Sequence, residues 1–262
     1  MNQEAHGLLP DASPTGTSTD GGSIDAGLKP AARYSDGAYL EANPDWHAED
    51  APWKVRHMRR ICDAAGIAPR SMCEVGCGSG AGLDLMQAAY PGSRADGYEL
   101  SPQAFALCSA RTRPGLSFYS DSAFTAGRHY DLSMAIDVIE HVEDPFAFAR
   151  GMGAISDHQL FHIPLDMNVV ALAREWPIRE ARGEVGHIHY FSRWTATSLL
   201  EECGLRVVNW HYVPWALEQG GGTWKRWLGA LPRRMAYAAN RDAAVRILGG
   251  WSLMILTKRA DA

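Results

Sequence analysis

Long apolar runs are missing from this chain. Nowhere do about eighteen apolar residues follow one another, so no membrane-spanning helix is expected. A basic start followed by an apolar stretch is missing too, and no secretion signal is expected. Pairable cysteines are equally scarce. The five cysteines, Cys62, Cys73, Cys77, Cys108 and Cys203, are odd in number and form no C-x-x-C pair, which argues against a disulfide framework or a zinc site and for a reducing cytoplasm. Positive charge is in deficit: 25 Lys and Arg against 30 Asp and Glu leave a formal net charge of −5, so no nucleic-acid partner is expected. Residues 1–33 lack any apolar period. Their Gly, Ser, Thr, Pro, Asp and Ala cannot bury enough surface to offset the entropy of ordering, and they read as a flexible tail. No internal repeat is present.

What remains suits one catalytic domain, since 262 residues with 46% hydrophobic content are ample for a core. Val55, Met58, Ile61 and Cys62 recur at helical spacing behind Pro52, predicting a helix over 51–65. A strand should then run to Val75, a helix start near Leu83, and a second strand pass through 95–99 before a helix capped by Ser101-Pro102. Further strands are predicted at 116–119, 130–136 and 159–163. The pattern loosens over 164–186, resumes as a helix at 194–203 and a strand at 205–212, and ends on a strand at 251–257. This βα alternation implies parallel strands joined by crossovers.

The chemistry concentrates at Cys73-Glu74-Val75-Gly76-Cys77-Gly78-Ser79-Gly80, an apolar strand breaking into glycines that let backbone approach a ligand closely. The glycines alone leave two readings open. Dinucleotide folds carry G-x-G-x-x-G, with the third glycine one residue later, and Ala81 stands there as a permitted variant. Glu74 favours the other reading, because a carboxylate two residues before Gly76 welcomes a cationic ligand and repels a pyrophosphate.

With Glu99 in Gly97-Tyr98-Glu99-Leu100-Ser101 and the string Asp137-Val138-Ile139-Glu140-His141-Val142, the chain over residues 50–212 resembles the class I S-adenosylmethionine-dependent methyltransferases. Within them it looks most like small-molecule enzymes related to ubiquinone and menaquinone biosynthesis. The resemblance implies a Rossmann-like, doubly wound, mostly parallel α/β sheet of seven strands with an antiparallel last strand. It implies S-adenosylmethionine as cofactor and methyl transfer to a small molecule, for which a hydroxyl oxygen is the expected acceptor. The alternative is a non-catalytic cofactor-binding subunit of the same fold.

By the same resemblance, Gly76, Cys77, Gly78 and Gly80 pack against the methionine and ribose, Glu74 acts near the amino group, and Glu99 accepts from the ribose hydroxyls. Leu100 flanks the adenine, Asp121 or Ser122 meets its amino group, and Asp137 and Val138 floor the sulfonium. His141, one turn further along, is by the same resemblance a further catalytic candidate near the cofactor. In Glu184-Val185-Gly186-His187-Ile188-His189, a period of two would put His187 and His189 on one side, as candidate bases for a hydroxyl acceptor. Two such histidines could chelate, but spacing assigns them no third ligand, and no metal is expected. Residues 34–53, with Tyr34, Tyr39, Trp46, His47 and Trp53, read as a lid within a domain spanning 34–262. An insertion at 213–250 mixes tryptophans with Lys and Arg, which suits either packing on the domain or contact with a membrane surface or lipid-linked substrate.

Overall fold

A computed structural model of the chain describes residues 46, 48–218 and 224–260, the side chains of 224–230 excepted. The expected tail and most of the expected lid lie outside the described residues.

The chain runs α1 (Ala51–Ala64), β1 (Ser71–Val75), α2 (Ala81–Ala89), β2 (Arg94–Tyr98), α3 (Pro102–Ser109), β3 (Leu116–Tyr119), β4 (Tyr130–Ile136), α4 (Pro145–Ile155) and β5 (Ser156–Pro164). Local chemistry sets several of these starts. Ser101 and Asp144 accept from the backbone N–H groups of Ala104 and Ala147, and a proline follows each at the first helical position. Met72 to Val75 are buried without interruption, as a strand covered on both faces requires.

The seven strands form one sheet in the order β3-β2-β1-β4-β5-β7-β6, where β6 is Leu205–Val213 and β7 is Ser252–Arg259. The first five are parallel, and β7 is antiparallel to both β5 and β6. One face of the sheet packs through Met72, Leu132 and Leu160 on Met58, Ile61 and Leu83. The other packs through Ala135, Phe161 and Ile255 on Phe148, Met152 and Leu200. Chain order reverses between β1 and β4, which opens a crevice at their carboxyl ends.

Two regions hold more structure than the sequence pattern predicts. The loose stretch 164–186 contains α5 (Val169–Arg174), α6 (Trp176–Glu180) and a π-turn (Ala181–Val185), each too short to display an apolar period. After α7 (Arg193–Glu202), the 213–250 insertion forms α8 (Trp215–Glu218), α9 (Trp224–Ala239) and α10 (Arg241–Leu248). Two of its cations are held largely by the insertion's own backbone. Arg233 donates to the Leu248 carbonyl and lies 5.7 Å from the Trp251 ring, and Arg234 donates to the Leu217 carbonyl. Among the described residues no helix is long and apolar enough to cross a membrane.

Candidate active site

At the crevice lies a cavity of about 710 Å³, walled by the ends of β1, β2, β4 and β5 and by the loops after them. Its first wall is the turn after β1. The N–H groups of Gly76 and Cys77 both donate to the Tyr98 carbonyl, at 2.8 and 3.1 Å, tying the turn to the end of β2. Gly76 has φ +72°, and a Cβ there would stand 2.9 Å from Val138 Cγ2, so only glycine fits. Glu99 accepts from Gly78 N through one oxygen and from Ser101 N through the other, both at 2.8 Å. Burial pushes its carboxyl upward, and the amides of Ser101, Gly78 and Leu100 oppose that. A carboxylate fixed in this way is placed to accept from a diol. Leu100, Asp121 and Ser122 also line this wall.

Glu74 is the anomaly of β1, a carboxyl in the centre of a doubly covered strand. It is 5% exposed, its Oε2 accepts no hydrogen bond from the described residues, and burial pushes its pKa up to about 8 despite Lys54. A buried acid without a full set of partners is costly, and a cationic ligand offsets that cost.

Beyond β4 the chain enters a left-handed residue, Asp137, at φ +56°. Strain of this kind persists only where neighbours enforce it. Here His162 Nδ1 at 2.6 Å and Lys54 Nζ at 2.8 Å hold the carboxylate. Burial opposes the charge, yet His162 and Lys54 outweigh it and keep Asp137 well below the usual carboxylate range. Val138 follows as the partner of Gly76.

Across the cavity a second loop is clamped onto this one. The Glu140 carbonyl accepts from the N–H groups of Ile188 and His189, at 2.9 and 3.1 Å, which draws His187 beside His141 and Glu140. His187 Nδ1 is bonded to Asp166 Oδ2 at 2.6 Å and His141 Nδ1 to the Gly186 carbonyl at 3.1 Å. Glu140 is 1% exposed, and burial together with Asp137 pushes its carboxyl well up.

Two of the expected site residues stand outside this lining. His189 does not line the cavity: residues 186–192 form an irregular loop rather than a strand, so the period of two fails, and His189 Nε2 bonds to the Val142 carbonyl at 2.9 Å. Gly80 does not line it either. Its φ is +74°, and a Cβ there would stand 2.7 Å from the Phe118 ring, so it serves close packing of the turn. The sequence reading missed Lys54, His162 and Asp166 as wall residues. Their partners lie 83, 25 and 21 positions away, by subtraction from Asp137, Asp137 and His187, and no local pattern marks them. Glu140 was visible in the motif, though nothing in the string revealed that its carboxyl points inward.

A family model described as a methyltransferase domain matches residues 47–209. The chain belongs to the methyltransferase family. Several solved structures resemble it in fold. Magnesium protoporphyrin IX methyltransferase from Synechocystis, with bound S-adenosylhomocysteine, is 14% identical with a TM-score of 0.53, covering 81% of this chain and 83% of that one. The N-methyltransferase NodS from Bradyrhizobium japonicum, also with S-adenosylhomocysteine, is 17% identical with a TM-score of 0.51, covering 86% and 99%. The [4+2]-cyclase SpnF is 14% identical with a TM-score of 0.52, covering 78% and 81%. No curated protein matches the chain in sequence. The wall between Glu74 and Glu99 fits S-adenosylmethionine: it pairs an under-satisfied buried acid for a cation with a fixed carboxylate for a diol, across a turn where a Cβ has no room.

Proposed function

We propose that this methyltransferase acts on a hydroxyl oxygen of a small molecule. Glu74 meets the cofactor's amino group, Glu99 its ribose, Leu100, Asp121 and Ser122 its adenine end, and Asp137 and Val138 the floor below its sulfonium. The cofactor supplies an electrophilic methyl group, so the protein's tasks are alignment and the handling of one proton. The acceptor sits against Glu140, His141 and His187, on the wall opposite Glu99.

The observation that carries this reading is the His187–Asp166 pair. A 2.6 Å bond to a carboxylate orients the imidazole and fixes its protonation at Nδ1, leaving Nε2 turned toward Glu140 at the cavity wall. Such a device serves an acceptor that must lose a proton. The likeness of Ile139 to Val142 to the quinone-related enzymes supports a small, oxygen-bearing acceptor. Five free cysteines, four of them buried, suit the cytoplasm. Trp46, Ala48, Asp50, Ala51 and Trp53 line the cavity, and Trp215 brings the 213–250 insertion to the same lining.

A panel of phenols, catechols, hydroxy acids and amines, assayed by S-adenosylhomocysteine release, tests the reading. A hydroxyl compound should turn over, and His187→Ala should lower kcat/KM for it by about 100-fold or more while S-adenosylmethionine affinity changes less than about twofold. Turnover of amines alone, or full activity in His187→Ala, refutes it.

A further inference from the structure

We propose that Glu140, His141 and His187 hold a divalent transition-metal cation that binds and activates the acceptor hydroxyl. Nε2 of His141 and Nε2 of His187 stand 3.8 and 4.0 Å from Glu140 Oε1. All three ligand atoms lie within 4.8 Å of one another. An ion with bonds of about 2.1 Å keeps neighbouring ligand atoms roughly 3 to 3.5 Å apart, so inward shifts below about 1 Å complete the set.

Two independent features make this more than proximity. First, each ring is oriented from behind. A backbone carbonyl can only accept, so the contact with Gly186 O puts a proton on Nδ1 of His141, and the Asp166 carboxylate does the same for His187. In the neutral rings both Nε2 lone pairs then turn toward the carboxyl. This is the outer shell that metal-ligating histidines carry. Second, neither oxygen of the buried Glu140 carboxyl has a hydrogen-bond partner among the described residues. A cation between the two Nε2 atoms and this carboxyl, displacing any proton it carries, would satisfy its orphaned oxygens.

Two imidazoles and one carboxylate suit zinc, manganese, iron, cobalt or nickel, and three protein ligands leave positions open to the cavity. An acceptor with two adjacent oxygens, such as a catechol or an α-hydroxy acid, fits those positions. This part rests on the hydroxyl reading above; binding of the ion does not. On the ion, the acceptor O–H releases its proton to water at a lowered pKa. The oxygen lone pair then forms the O–CH3 bond as the S–CH3 bond breaks, and the sulfur keeps that electron pair as a neutral thioether.

The test is titration of the chelator-treated full chain with Co2+, followed by visible absorption, beside calorimetry with S-adenosylmethionine. One Co2+ per chain should bind with a ligand-field spectrum. Glu140→Gln and His187→Ala, each shown folded by circular dichroism, should weaken it at least tenfold, and His189→Ala should leave it unchanged. Absence of Co2+ binding in a wild-type chain that binds S-adenosylmethionine overturns the proposal and leaves an imidazole–carboxylate cluster. Equal binding in both ligand variants also overturns it. Co2+ binding without hydroxyl turnover supports the ion site and sinks only the acceptor reading.

Discussion

At the scale of single residues, Glu74 in the proposed role would couple cofactor binding to pH. In the free protein its carboxyl, raised by burial to about 8, is largely protonated at neutrality. A cation beside it favours the ionised form, so the complex carries fewer protons than the free protein in the window below pH 8. Binding of S-adenosylmethionine should therefore release a proton. Affinity should rise with pH up to about 8, by at most about tenfold per unit, and then level off. Calorimetry in buffers of contrasting ionisation enthalpy checks this, and Glu74→Gln should abolish both the release and the slope. An acid in an otherwise apolar strand is legible in the sequence. The size of its shift is not, because that depends on α1 and on Lys54 arriving from another part of the chain.

At the scale of elements, the turn between β1 and α2 fits through steric closeness rather than hydrogen bonds alone. Gly80 lies at φ +74° under Phe118 of β3, and Cys108 of α3 also stands against it. Gly80→Ala should destabilise the fold by about 1–3 kcal/mol in urea titration, from backbone strain and overpacking together. A variant with wild-type stability would show that Phe118 moves aside freely. The same scale separates what sequence reveals from what it hides. β3 and β4 fall at 116–119 and 130–136 as the pattern predicts, because turn residues bound a compact apolar run on both sides. α5 and α6, with six and five residues, have no room for a helical period and stay invisible. Glu74, Gly76, Gly78 and Glu99 could be expected to share one wall because a single local turn draws them together. On the opposite wall His141 and His187 could be named, but not their meeting with Glu140, which comes about only when two distant loops share a carbonyl.

At the scale of the molecule, a line of polar groups joins α1, β6 and α8. His57 Nδ1 meets His211 Nε2 at 3.2 Å, and His57 Nε2 meets Glu218 at 3.1 Å. Burial, then His57, lowers His211 to about 4, and burial lowers His57 although Glu218 opposes it. A histidine whose pKa is depressed by folding binds fewer protons in the native state. Its stabilising contribution is present above the unfolded value of about 6.5 and is lost as pH falls toward 4. Thermal melts between pH 7 and 4 should fall more steeply for the wild type than for His211→Gln, and parallel curves would dismiss the coupling. The sheet itself has a different consequence for how such an enzyme can be altered. Val213, the last residue of β6, is paired with Ser252, the first of β7, so the chain leaves the sheet and re-enters it at a single rung. The helical excursion between them, which brings Trp215 to the cavity, is a cassette with abutting ends. Its inner face packs into the core through Leu217, Ala244 and Val245, so exchanging residues at its cavity edge, Trp215 first, should shift acceptor preference while every strand keeps its place.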